Sequence, residues 1–128
     1  MRSIVSRSIL AALVLVFAAA CASAGSTSNK WRLEFSGNAE SDGVITVHLV
    51  ELGNTFIVPA SIPKGTGENQ VARLVLNELK ASLPPETYWL EIDDGEDVLV
   101  KARGRVEPYK VLIAGNTVKG VRIKVEKE

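Results

Sequence analysis

Residues 55–100 read TFIVPASIPKGTGENQVARLVLNELKASLPPETYWLEIDDGEDVLV, and the change of apolar period within them decides the fold class. Val71, Leu74, Val75 and Leu79 recur at helical spacing, with Arg73, Asn77 and Lys80 on the other side. Thr66 stands where an N-cap is expected, and Glu68 lies in the first turn, at the positive end of the helix dipole. Pro84-Pro85 stop the helix. A helix of this length is marginal in water by itself, so its apolar stripe must lie on a sheet.

On both sides of the helix the period falls to two. Thr55 to Ile62 reads as a strand, confined to a sheet edge by Pro59 and Pro63, which donate no ladder hydrogen bond. Tyr88, Leu90 and Ile92 share a face, and Asp93-Asp94-Gly95-Glu96 turns the chain into Val98, Leu99 and Val100. Farther out, Trp31, Leu33 and Phe35 alternate with Arg32, Glu34 and Ser36. Gly37 to Gly43 is polar and ends in Asp42-Gly43, a hairpin signal leading into a strand from Val44 to about Leu52. Gly53-Asn54 is the next turn. Gly104 to Pro108 forms a loop, Tyr109 to Ala114 a strand, and Gly115-Asn116 a turn before the alternation of Val121, Ile123 and Val125. About seven strands and one helix predict an α+β fold, a mostly antiparallel sheet with the helix packed on a face. The alternative is a β-sandwich with a helical crossover.

Residues 1–24 read as an export signal. Arg2 and Arg7 form a basic head, Ile9 to Ala20 an unbroken apolar run, and small residues follow at once. Residues 25–30 then form a polar tether, and 31–128 a single globular domain. An uncleaved anchor is the rival reading, disfavoured because Gly25 to Asn29 is polar. Cleavage falls either before Cys21 or, through Ala22-Ser23-Ala24, before Gly25.

Phe17-Ala18-Ala19-Ala20-Cys21 resembles the lipobox of bacterial lipoproteins, with Ala18 where leucine is usual. The resemblance implies lipid attachment at Cys21, and Ala22 after it implies the outer membrane. Without that modification the protein is expected in the periplasm. Cys21 is the sole cysteine, so the domain holds together without a disulfide. A second resemblance covers 58–104. Ile62-Pro63-Lys64-Gly65-Thr66, Gln70-Val71-Ala72, Leu76, Asp94-Gly95 and Val98-Leu99-Val100 look like the strand-helix-hairpin modules of phage-tail and flagellar-hook proteins. Such modules imply assembly or binding.

Charge narrows the partners. The chain has 15 basic and 15 acidic residues, and the signal holds two of the basic ones, leaving 13 against 15, a formal −2. That field is too weak to gather nucleic acid or an anionic membrane surface. A partner protein of the envelope, and the membrane through a lipid on Cys21, are the contacts expected.

Little catalytic chemistry is available. His48 is the one histidine, set between Val47 and Leu49 on the face with Val44, Thr46 and Val50, so neither a Cys/His zinc site nor a triad is expected. Lys64-Gly65-Thr66 lacks the glycine spacing of a phosphate loop, and no cofactor is called for. Asp93, Asp94, Glu96 and Asp97 form the densest acidic group. They read as a solvated hairpin tip with Gly95 at positive φ; weak calcium binding or acid/base work are the alternatives. Lys101, Arg103, Arg105 and Lys110 read as charges that blunt a strand edge. Trp89 alternates out of phase with Tyr88 and Leu90, which predicts an exposed indole and the best single contact residue. The expectation is a noncatalytic exported module that binds or assembles with another envelope component. An inhibitor or accessory subunit using Trp89 and the Asp94-Gly95 turn is the alternative, and a small hydrolase a third.

Overall fold

Period-two burial builds the first strand, β1 (Lys30–Ser36), in which Trp31, Leu33 and Phe35 are buried and the residues between them are not. The computed structural model describes residues 27–104 and 107–128; the expected export signal with Cys21, and Arg105, lie outside them. The further elements are β2 (Gly43–Glu51), β3 (Asn54–Ile62), α1 (Glu68–Ser82), β4 (Tyr88–Asp93), β5 (Asp97–Ala102), β6 (Lys110–Asn116) and β7 (Arg122–Lys127). The fold is α+β, with every strand pair antiparallel.

The seven strands divide between two sheets, of order β4-β5-β1-β7 and β3-β2-β6. Pro59 stands outward on β3, which is an edge strand as its prolines require. The hairpin expected between β1 and β2 does not form: β1 pairs with β5 and β7, and β2 with β3 and β6. The Gly37–Asp42 segment instead crosses from one sheet to the other. Its Ala39 is buried, donates to Thr66 O at 2.8 Å and accepts from Gly65 N–H at 2.8 Å, so long-range partners satisfy this backbone.

Helix α1 also crosses between the sheets, from β3 to β4, and packs against β3, β4, β1 and β5. Val71, Ala72, Val75, Leu76 and Leu79 are buried, and Leu74 is partly so. Full burial of each Val or Leu contributes about 1.5–3 kcal/mol. Thr66 is not the cap. Gly67 holds that position without a side-chain bond, and the Thr66 hydroxyl donates to Pro63 O at 2.7 Å. Glu68 accepts instead from Gly37 N–H at 3.1 Å, which ties the helix start to the crossover. Leu83 ends the helix in extended backbone, as a residue before proline must.

Residues 28–30, within the expected tether, belong to the domain. Ser28 and Tyr109 exchange N–H···O bonds of 2.9 and 3.1 Å, and this bridge joins the chain leading into β1 to the chain leading into β6. Trp31 Nε1–H donates to Tyr109 O at 3.0 Å, and the Tyr109 hydroxyl lies 2.9 Å from Val100 O and 3.0 Å from Asn29 O. Tyr88 and Tyr109 meet edge to face, with ring centroids 5.1 Å apart. Among the described residues no helix is long and apolar enough to cross a membrane.

Candidate functional site

The β4–β5 hairpin presents the acidic turn at its tip. Asp93 and Asp97 face each other across the ladder, and Asp94 (φ 52°) and Gly95 (φ 81°) close the turn in the left-handed region. Gly95 is tucked against the helix: a Cβ there would lie 3.3 Å from Asn69 Nδ2. One carboxylate oxygen each from Asp93, Asp94 and Asp97 lies within 4.8 Å of the others, close enough for a shared cation.

That position is already served by a cation. Arg32, on β1, donates to Asp97 at 2.5 Å, to Asp93 at 2.9 Å and to Glu128 at 3.1 Å. Hydrogen bonds to Glu128, Asp97 and Asp93, in that order, raise the guanidinium above its ordinary value. The Asp97 side chain is 9% exposed, and its Oδ1 is buried with no hydrogen-bond partner among the described residues. Glu96 stands apart from this network; its carbonyl accepts from Phe35 N–H at 3.1 Å. Asp93 and Asp97 are therefore held by a structural ion pair. Arg32 is 65 positions from Asp97, so the local sequence carries no sign of it.

Trp89 stands at the opposite end of the same hairpin, opposite Lys101 rather than near the turn. It is 45% exposed, as its phase requires. The Arg103 guanidinium lies 4.5 Å from its ring centroid, and Nε1–H donates to Glu91 at 3.2 Å. Beside it is a shallow groove of about 270 Å³, lined by Lys80, Leu83, Pro85, Tyr88 and Leu90 along with Trp89 and Arg103. Asp94 lies five positions from Trp89, just past the end of β4, about 17 Å away, so the indole and the turn form two separate places rather than one patch.

Lys101 does not blunt an edge. It sits on β5 between β4 and β1 and donates to Glu91 at 2.6 Å. Lys101 first, then Trp89, lowers the Glu91 carboxyl below its ordinary value. Arg103 covers Trp89, and Lys110 lies on the edge strand β6.

The outer faces of the two sheets differ sharply. On the four-stranded sheet, Lys30, Arg32, Glu91, Asp93, Asp97, Lys101 and Glu128 are joined in ion pairs. On the three-stranded sheet the outward residues are Val44, Thr46, His48 and Val50 of β2, Thr55, Ile57, Pro59 and Ser61 of β3, and Lys110, Leu112 and Ala114 of β6. His48 stands in register with Ile57 on one side and Leu112 on the other, and Ile57 is 63% exposed. This face carries one lysine and no carboxylate. The alternation within β2 puts His48 on a face with Val44, Thr46 and Val50, whereas its cross-strand neighbours Ile57 and Leu112 are not legible there, because only the β3-β2-β6 register brings them together. Comparison of the chain with family models and with curated proteins finds no match.

Proposed function

We propose that the chain is a noncatalytic exported module of the bacterial envelope, held by a lipid on Cys21 or free in the periplasm, that binds another envelope component. One observation carries this reading: the outer face of the β3-β2-β6 sheet presents the row Ile57–His48–Leu112 with no carboxylate around it. Exposed apolar area of this kind, rimmed by polar groups, marks interaction surfaces. The acidic turn supports the same reading from the other side. Its Asp93 and Asp97 are engaged by Arg32, which gives this pair of carboxylates a structural partner within the domain.

A photo-crosslinking residue placed at position 57 in the full chain, expressed in its own host, tests this. A discrete adduct with one envelope protein is expected, and none when the same residue replaces Glu34 on the charged face. Equal adducts at both positions, or none at position 57, would sink the proposal, as would clear turnover of cell-wall sugars or peptides by the purified protein.

A further inference from the structure

The polypeptide enters the domain at one end, and two of its exposed apolar side chains lie there. Ser28 is bonded to Tyr109, and Asn29 O accepts from Ala102 N–H at 2.9 Å. Next to Tyr109, Lys110 stands opposite Val50, two residues before Leu52 at the tip of the β2–β3 hairpin. Leu52 is 89% exposed. On the other sheet Ala102 stands opposite Tyr88, next to Trp89. The Tyr88 hydroxyl donates to Glu51, so Leu52 and Trp89 each adjoin one partner of a single hydrogen bond.

We propose that this end rests on the phospholipid surface, with Leu52 and Trp89 entering the boundary between headgroups and acyl chains. The inference rests on the lipid-anchored form of the function proposed above. Ser28 lies seven peptide steps from Cys21, a reach of at most about 25 Å. Seating the opposite end, at Ser36 and Asp94, would require the chain to run back along the seven residues of β1, about 23 Å. That would use nearly the whole tether. The end bearing Leu52 and Trp89 is the one that reaches the membrane without such a detour.

The side chains suit that depth. Tryptophan joins an apolar body to a polar N–H and concentrates at membrane interfaces. Arg103 over the ring and Lys80 in the adjoining groove supply donors for phosphodiester oxygens. Glu86 and Glu107 stand at the same end, so insertion rather than attraction to anionic lipid makes the contact. This seating leaves the Ile57 face free for a partner.

The test uses the mature protein as its own host processes it, mixed with phosphatidylcholine vesicles with and without bromine on the acyl chains, since bromine quenches tryptophan on contact. Trp31 is 5% exposed within the core, so quenching reports on Trp89. Emission is expected to fall in brominated vesicles, and the loss to vanish in Trp89→Phe. Leu52→Glu is expected to remove at least about half of it, because a charged side chain resists entry. A protein that floats with the vesicles but whose Trp89 is quenched by acrylamide and not by bromine overturns the orientation alone. A protein that does not float overturns the anchor reading and this orientation with it. Protection of Trp89 that appears only at high protein-to-lipid ratio overturns it in favour of a second copy of the chain.

Discussion

The Tyr88 hydroxyl of β4 donates a hydrogen bond to the Glu51 carboxylate of β2, across the gap between the two sheets. Burial first, and then this bond, pushes the Tyr88 phenol well above its ordinary value of 10.0. Burial pushes Tyr109 up as well. A raised pKa means that the folded state holds the proton more tightly. The contribution is therefore fully present below pH 10.0 and is lost as the pH rises from there toward the folded-state values. The urea midpoint is expected to fall steadily above about pH 10, with a shallower fall in Tyr88→Phe. At neutral pH that substitution should cost about 1–2 kcal/mol. A midpoint that stays flat up to about pH 11 would refute the account.

Arg32 is the cation that compensates Asp97, whose Oδ1 is buried without a partner among the described residues. Arg32→Leu leaves a buried carboxylate uncompensated and should clearly lower the denaturant midpoint. Arg32→Leu combined with Asp97→Leu should recover most of that loss. A double variant as unstable as the sum of the two singles would show that the pair is not coupled.

At the turn, Asp94 holds φ 52°, the one non-glycine positive φ among the described residues. Asp94→Gly removes that cost and should stabilise the domain by up to about 1 kcal/mol. Millimolar calcium should leave the melting temperature unchanged, because Arg32 already engages Asp93 and Asp97. A rise of several degrees that Asp93→Asn abolishes would show a cation displacing the guanidinium.

Two glycines of similar backbone make a matched pair. Gly37 has φ +85°, and a Cβ there would lie 2.0 Å from Gly120 O. Gly53 has φ +78° but nothing within 4 Å. Gly53→Ala should cost about 1–2 kcal/mol, the strain of the left-handed region alone. Gly37→Ala must also push the Gly120 backbone away and should cost clearly more, to the point of poor folding. Equal losses in thermal unfolding would mean that the crossover yields freely.

The strands, the helix and the outward phase of Trp89 and His48 were legible because each is written in neighbouring residues. Period two in Trp31-Leu33-Phe35 and helical spacing in Val71 to Leu79 describe a local conformation that buries one face. The turn at Asp94-Gly95 was legible for the same reason. The Asp42-Gly43 signal misled, because hairpin chemistry at a turn competes with long-range pairing, and the bonds of Ala39 to Gly65 and Thr66 prevailed.

Neighbouring residues alone carry the alternation of elements, the faces they bury, and the expectation of export through residues 1–24. The split of the strands into two sheets, the meeting of Arg32 with Asp97 and of Tyr88 with Glu51, and the common end shared by Leu52, Trp89 and the chain's point of entry emerge only on folding. Range separates the two. Apolar period is set by the geometry of a single strand or helix, whereas strand order and charge pairing depend on which distant surfaces bury the most apolar area together.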